Sequence, residues 1–148
     1  MSLDQLFSLA GSLALLGWIC LALAPLAPTI LLPLGGFVFP AALSAGYAGL
    51  IAAFWGSSSG GFGSLDAVAA LFQSRGVLLA GWVHYLAFDL FVGGWIVRRA
   101  RREGLPHALA LLCLPPTFLF GPVGLLAFLA LRVVRRLRRP APQPGALA

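Results

Sequence analysis

Apolar residues fall into four long runs, at about 3–24, 34–55, 77–97 and 108–131, separated by short stretches rich in Pro, Gly or Arg. Each run is long enough to cross ~30 Å of hydrocarbon at ~1.5 Å rise per residue. The expectation is an all-α membrane protein: a four-helix transmembrane bundle, folded as one unit over residues 1–131.

The interruptions refine this. Span one is expected to remain as a span rather than to be cleaved as a signal, because its apolar run is too long and no Arg or Lys precedes it. Its polar positions are small (Ser8, Ser12, with Gly11 and Gly17), which suits close helix packing. Pro40 interrupts span two and removes the donor that the Gly36 carbonyl would use in a regular helix. The stretch GSSSGGFGS at 56–64 reads as a linker. Ser64 then caps a short helix over 65–72, expected to lie in the membrane interface between spans two and three. Span four contains Pro115-Pro116 and then Gly121-Pro122-Val123-Gly124. It cannot be one regular helix, and its break is placed at the proline pair. Residues 132–148 read as a basic, then Pro/Ala-rich, disordered tail.

Composition adds limits. Only 9% of the 148 residues are charged and the mean hydropathy is +0.96, against about a quarter charged in a soluble domain. The net charge of +6 comes from Arg without any Lys, clustered at Arg98–Arg102 and Arg132–Arg139. These clusters are expected to bind anionic headgroups of membrane lipid; without a soluble domain, nucleic-acid binding is not expected. Cys20 and Cys113 lie inside apolar runs with no metal spacing, so no metal and no cofactor is expected. The Lys-free, Arg/Ala/Gly-rich composition suggests a bacterial inner membrane, and a homodimer remains open. Four crossings would put the two Arg clusters on opposite sides, against the positive-inside preference. The count favours cytoplasmic termini, six Arg against four. A re-entrant fourth segment would remove the conflict.

The third run carries the candidate chemistry. Asp89 and His84 stand where lipid is expected, at roughly 2.5–3.5 kcal/mol for a charged group at the centre of a span. Five residues apart on a helix, they are about 140° apart around the axis. Asp89 shares a face with Trp82 and Tyr85, whereas His84 shares one with Phe88, Phe91 and Trp95. Thr117, ten residues after His107, reaches the depth of Asp89, so Asp89 is expected to dock on the broken fourth span. A purely architectural Asp89, and a His84 engaged only in a hydrogen bond between helices, are the competing readings.

The run WVHYLAFDLFVGGW at 82–95, the loop RRARREGLPH after it and the block PPTFLFGPVGLL at 115–126 resemble the family named for the abscisic-acid-deficient neoxanthin synthase of plants. The resemblance spans roughly residues 65–131. It implies a small four-span membrane protein related to the conversion of violaxanthin to neoxanthin, an isomerisation that needs no redox cofactor. On that implication Asp89 would be the acid and His84 the base. Trp82, Tyr85, Phe88, Phe91, Trp95 and Thr117 would border a carotenoid or isoprenoid substrate. The alternatives are a non-catalytic pigment- or lipid-binding or scaffold module, and a proton- or solute-coupled transporter using Asp89.

Overall fold

The computed structural model describes residues 1–138. Those residues form six helices and no strand: α1 (Leu3–Ala22), α2 (Pro28–Ser57), α3 (Leu65–Leu71), α4 (Arg75–Arg102), α5 (His107–Phe120) and α6 (Pro122–Leu137). Three of them, α1, α2 and α4, are long and apolar enough to cross a membrane.

Capping and proline chemistry set the ends. Ser2 opens α1 with a capping box completed by Gln5, and the Ser64 hydroxyl accepts from the Ala67 N–H at the start of α3. Pro28 starts α2, where a missing N–H costs nothing. Pro33 and Pro40 lie farther along the same helix, which runs on through a π-helical segment at Leu34–Val38. The carbonyl of Gly36, deprived of its donor by Pro40, receives Arg98 Nη1 at 3.0 Å. The proline thus creates an acceptor inside the bundle, and an arginine from another helix satisfies it.

The helix α4 is the central element. Ala80, Val83, Ala87, Leu90, Ile96 and Ala100 are all buried, with Leu21 of α1, Leu43 of α2 and Phe128 of α6 in the same core. Small residues allow the close approach. Gly94 faces Gly36, and a Cβ added to Gly94 would fall 2.5 Å from the Gly36 Cα. One added to Gly93 would fall 2.5 Å from the Trp18 ring.

Long-range pairs fix the direction of each helix. Asp4 bonds Arg75 at 2.9 Å, so α1 and α4 start at the same end. Gly76 lies against Phe54, bringing the end of α2 there as well. At the other end, a His107 ring nitrogen is 2.9 Å from the Ala22 carbonyl, placing the start of α5 beside the end of α1.

The fourth apolar run departs from expectation. It is a helical hairpin, not a crossing. The 14 residues of α5 span only about 21 Å. The chain then reverses at Gly121, and α6 returns to the end from which α5 came. Gly124 packs directly on Thr117, the Phe128 ring meets Trp95 with centroids 5.7 Å apart, and Arg132 bonds Glu103. Residues 117 and 124 would be about 10 Å apart on one helix, so their contact requires the reversal.

This hairpin bears on three expectations. In place of four long spans there are three helices long and apolar enough to cross a membrane, and the fourth run is a helical hairpin. The break lies at Gly121 rather than at Pro115-Pro116, which sit inside α5. Proline's fixed φ fits a helix, and the pair removes only two donors; reversal needs a backbone that a side chain disfavours, and Gly121 supplies it at φ 46° and ψ −93°. Pro122 then opens α6 at no cost in hydrogen bonds. Finally, the start of α1 and the end of α6 lie at opposite ends of the bundle. Arg98, Arg99, Arg101, Arg102, Arg132, Arg135, Arg136 and Arg138 all belong to one end and Arg75 to the other, which dissolves the charge conflict. Arg132–Leu137, read above as the start of the tail, is helical; residues 139–148 lie outside the described residues.

Candidate functional site

Asp89 is buried at 8% exposure near the middle of α4, about 13 Å along the helix from Arg98. It meets the hairpin at its hinge: a Cβ added to Gly121 would fall 2.5 Å from Asp89 Oδ1. The carboxyl therefore sits against the Gly121 turn, at the start of α6. Asp89 Oδ2 is buried and, among the described residues, has no hydrogen-bond partner. Native proteins rarely leave such an atom without a role, least of all at membrane depth.

Tyr85 lies one turn before Asp89 on the same face, and its hydroxyl donates to the Phe118 carbonyl at 2.8 Å. An aromatic series leads to it from the Asp4–Arg75 end. The Phe7 ring stacks on Trp82 at 5.7 Å, and Trp82 lies 5.4 Å from Tyr85. Phe118 continues the series to Trp18 at 5.7 Å. Beside that pair, Leu15, Trp18, Ile19, Leu111, Leu114, Pro115 and Phe118 line an apolar groove of about 280 Å³. Because the hairpin turns back at Gly121, no helix of the fourth run covers the half of α4 nearer Arg75. Phe120 at the hairpin tip is 63% exposed and Trp82 43%.

His84 belongs elsewhere. It is exposed on the far side of α4, stacked on Phe88 at 4.6 Å and edge-on to Tyr47 of α2 at 5.3 Å. Phe88 and Phe91 border a second groove with Phe37, Pro40, Ala41 and Ser44. Trp95 leaves this group and packs on Phe128. Thr117 is fully buried, but its hydroxyl donates to the Cys113 carbonyl at 2.7 Å within its own helix. Its role visible here is to receive Gly124 across the hairpin.

The structure thus brings together Asp89, Tyr85 and Trp82, with Gly121 and Phe118 added, and leaves His84, Phe88 and Phe91 on another face. Gly121 is the residue to which sequence reasoning assigns no role in the site, although it stands in the second interruption of span four. Its signal was the Gly-Pro dipeptide, a helix-ending glycine followed by a helix-starting proline. Among the described residues, no group of His, Cys, Asp or Glu is arranged to hold a metal ion.

The family model described as ABA DEFICIENT 4-like matches residues 5–128. The chain belongs to the ABA DEFICIENT 4-like family. The match takes in α1 through the Phe128 contact of α6, so both sides of the Asp89–Gly121 hinge lie inside the family's extent. Membership and the three apolar crossings together make this ABA DEFICIENT 4-like chain an integral membrane protein. No curated protein and no solved structure matches it.

Proposed function

We propose that this protein is a carotenoid- or isoprenoid-directed membrane isomerase in which Asp89 acts on the substrate without a cofactor. The observation that carries this reading is the buried Asp89 carboxyl, with one oxygen unpartnered, at the hinge of a hairpin that leaves half the membrane depth open beside it. Family membership supports the substrate class.

The chemistry needs little machinery. Opening an epoxide to an allenic alcohol breaks a C–O bond, adds a proton to the oxygen and removes one from carbon. Asp89 in its acid form gives its proton to the oxygen. The carboxylate so formed takes the carbon-bound proton, and the group ends as it began. Tyr85, held by the Phe118 carbonyl, borders the same space, and its ring would pack against the end ring of the substrate. His84 has no part in this scheme, because it lies across α4. The Phe7–Trp82–Tyr85 series offers a stacking path for a ring and polyene inserted from the Arg75 end. An end ring could in this way reach Asp89 although the rest of the molecule spans the bilayer.

The test is pigment extraction from a carotenoid-producing host with and without the protein. The expected result is a new isomer of unchanged mass, absent with Asp89→Asn and retained with His84→Ala. Pigment that co-purifies unchanged with wild type and Asp89→Asn would instead indicate binding without chemistry.

A further inference from the structure

The hairpin has a second consequence at the Arg-rich end. The end of α4, the loop after it and the last turns of α6 enclose a cavity of about 350 Å³ lined by Arg102, Glu103, Leu105, Arg132, Arg135 and Arg136. It is remote from the hinge, since Arg132 lies about 16 Å along α6 from Gly121.

Four arginines and a single carboxylate line it, and that carboxylate is already engaged. Glu103 Oε2 accepts from Arg132 Nε at 2.8 Å, and Oε1 accepts from Arg99 Nε at 2.6 Å. Arg136 stands off at 3.9 Å. Arg102 and Arg135 form no ion pair among the described residues. Glu103 therefore orients Arg132, whose side chain is only 13% exposed, and the remaining positive charge is left facing the cavity. Planar guanidiniums converging on one space match the oxygens of a phosphate group. Toward the membrane, Leu126, Leu129 and Val133 of α6 are exposed below the cavity and offer an apolar track.

We propose that this cavity is a binding site for a phosphate ester, supplied either by an anionic phospholipid headgroup or by a soluble phosphate compound. Arg102, Arg135 and Arg136 contact the phosphate, and Glu103 is a positioning residue acting through Arg132. The site is independent of the Asp89 chemistry.

The experiment measures the thermal unfolding midpoint and lipid titration of the full chain in neutral detergent. Phosphatidylglycerol, phosphatidylcholine and inorganic phosphate are added separately. A rise with phosphatidylglycerol alone assigns the site to a headgroup; an equal rise with inorganic phosphate assigns it to a free phosphate. In either case the triple variant R102Q/R135Q/R136Q binds about tenfold more weakly, and the single variant Arg135→Gln shows a smaller loss. The double variant R101Q/R138Q removes charge from the same end outside the cavity and keeps wild-type binding. Equal losses in the triple and double variants would overturn the site in favour of diffuse surface attraction. So would equal rises with phosphatidylglycerol and phosphatidylcholine, or no rise at all.

Discussion

Asp89 of α4 and Gly121, in the turn between α5 and α6, are in contact at the one point where the fourth apolar run reverses: a methyl group on Gly121 would fall 2.5 Å from the Asp89 carboxyl. Two independent penalties meet there, a positive φ for a residue with a side chain and a clash with a buried carboxyl. Gly121→Ala is expected to destabilise the protein by about 2–5 kcal/mol, from ~1–2 for the backbone and ~1–3 for overpacking. In the Asp89→Ala background the cost falls to the backbone share alone. Unfolding in detergent, run as a double-mutant cycle, measures the difference.

Arg98 and Pro40 are coupled through a carbonyl that neither owns. Arg98→Ala leaves Gly36 O without a donor and is expected to cost about 1.5–3 kcal/mol, the range for a bond to a charged group. Pro40→Ala returns an N–H to the helix at the position that can reach Gly36 O. In that background the Arg98→Ala penalty shrinks to less than half. Simple additivity of the two substitutions would contradict the coupling.

Much of this was legible in the chain. The freed Gly36 carbonyl follows from Pro40 alone, and the angular separation of His84 from Asp89 follows from helical geometry. The all-helical class follows from run length and apolarity. What the sequence did not display was the direction of α6. A run of apolar residues has the same hydropathy whether it crosses or turns back, and two prolines are a louder signal than one glycine. The decision rested on Gly124 meeting Thr117 and Arg132 meeting Glu103, tertiary contacts between positions with no local signature of pairing. The partner that satisfies Gly36 was equally invisible, because Arg98 reads from sequence as one more interfacial arginine.

Glu103 gives a pH signature outside the membrane. The hydrogen bond from Arg132, reinforced by Arg99, holds its carboxyl down at about 2 from an ordinary 4.5. A depressed folded value means that the pair's contribution is complete above pH 4.5. It declines as pH falls from there toward 2, because the unfolded chain takes up the proton first. Acid titration of the unfolding midpoint should show this loss, and Glu103→Gln should be less stable at neutral pH and flatter across that window. Parallel curves for the two proteins would exclude the role assigned to the pair.

Crossings by α1, α2 and α4 would put the start of α1 and the end of α6 on opposite sides of the membrane, and the positive-inside preference predicts that the Arg-rich end faces the cytoplasm. Reporters fused before Leu3 and after Leu137 should therefore give opposite readings, with the C-terminal one cytoplasmic. Matching readings at both ends would restore a fourth crossing and remove the hairpin.

The assignment of the chemistry to Asp89 is tested most directly with purified protein and an epoxide-bearing carotenoid in detergent or lipid discs. Wild type is expected to form an isomer of the same mass with no added cofactor. Asp89→Asn should lower the rate by at least ~100-fold, the lower end of what a positioned acid–base group contributes, while His84→Ala stays near wild type. Isomer formed by Asp89→Asn at the wild-type rate would contradict the account, as would loss of activity in His84→Ala with Asp89→Asn intact.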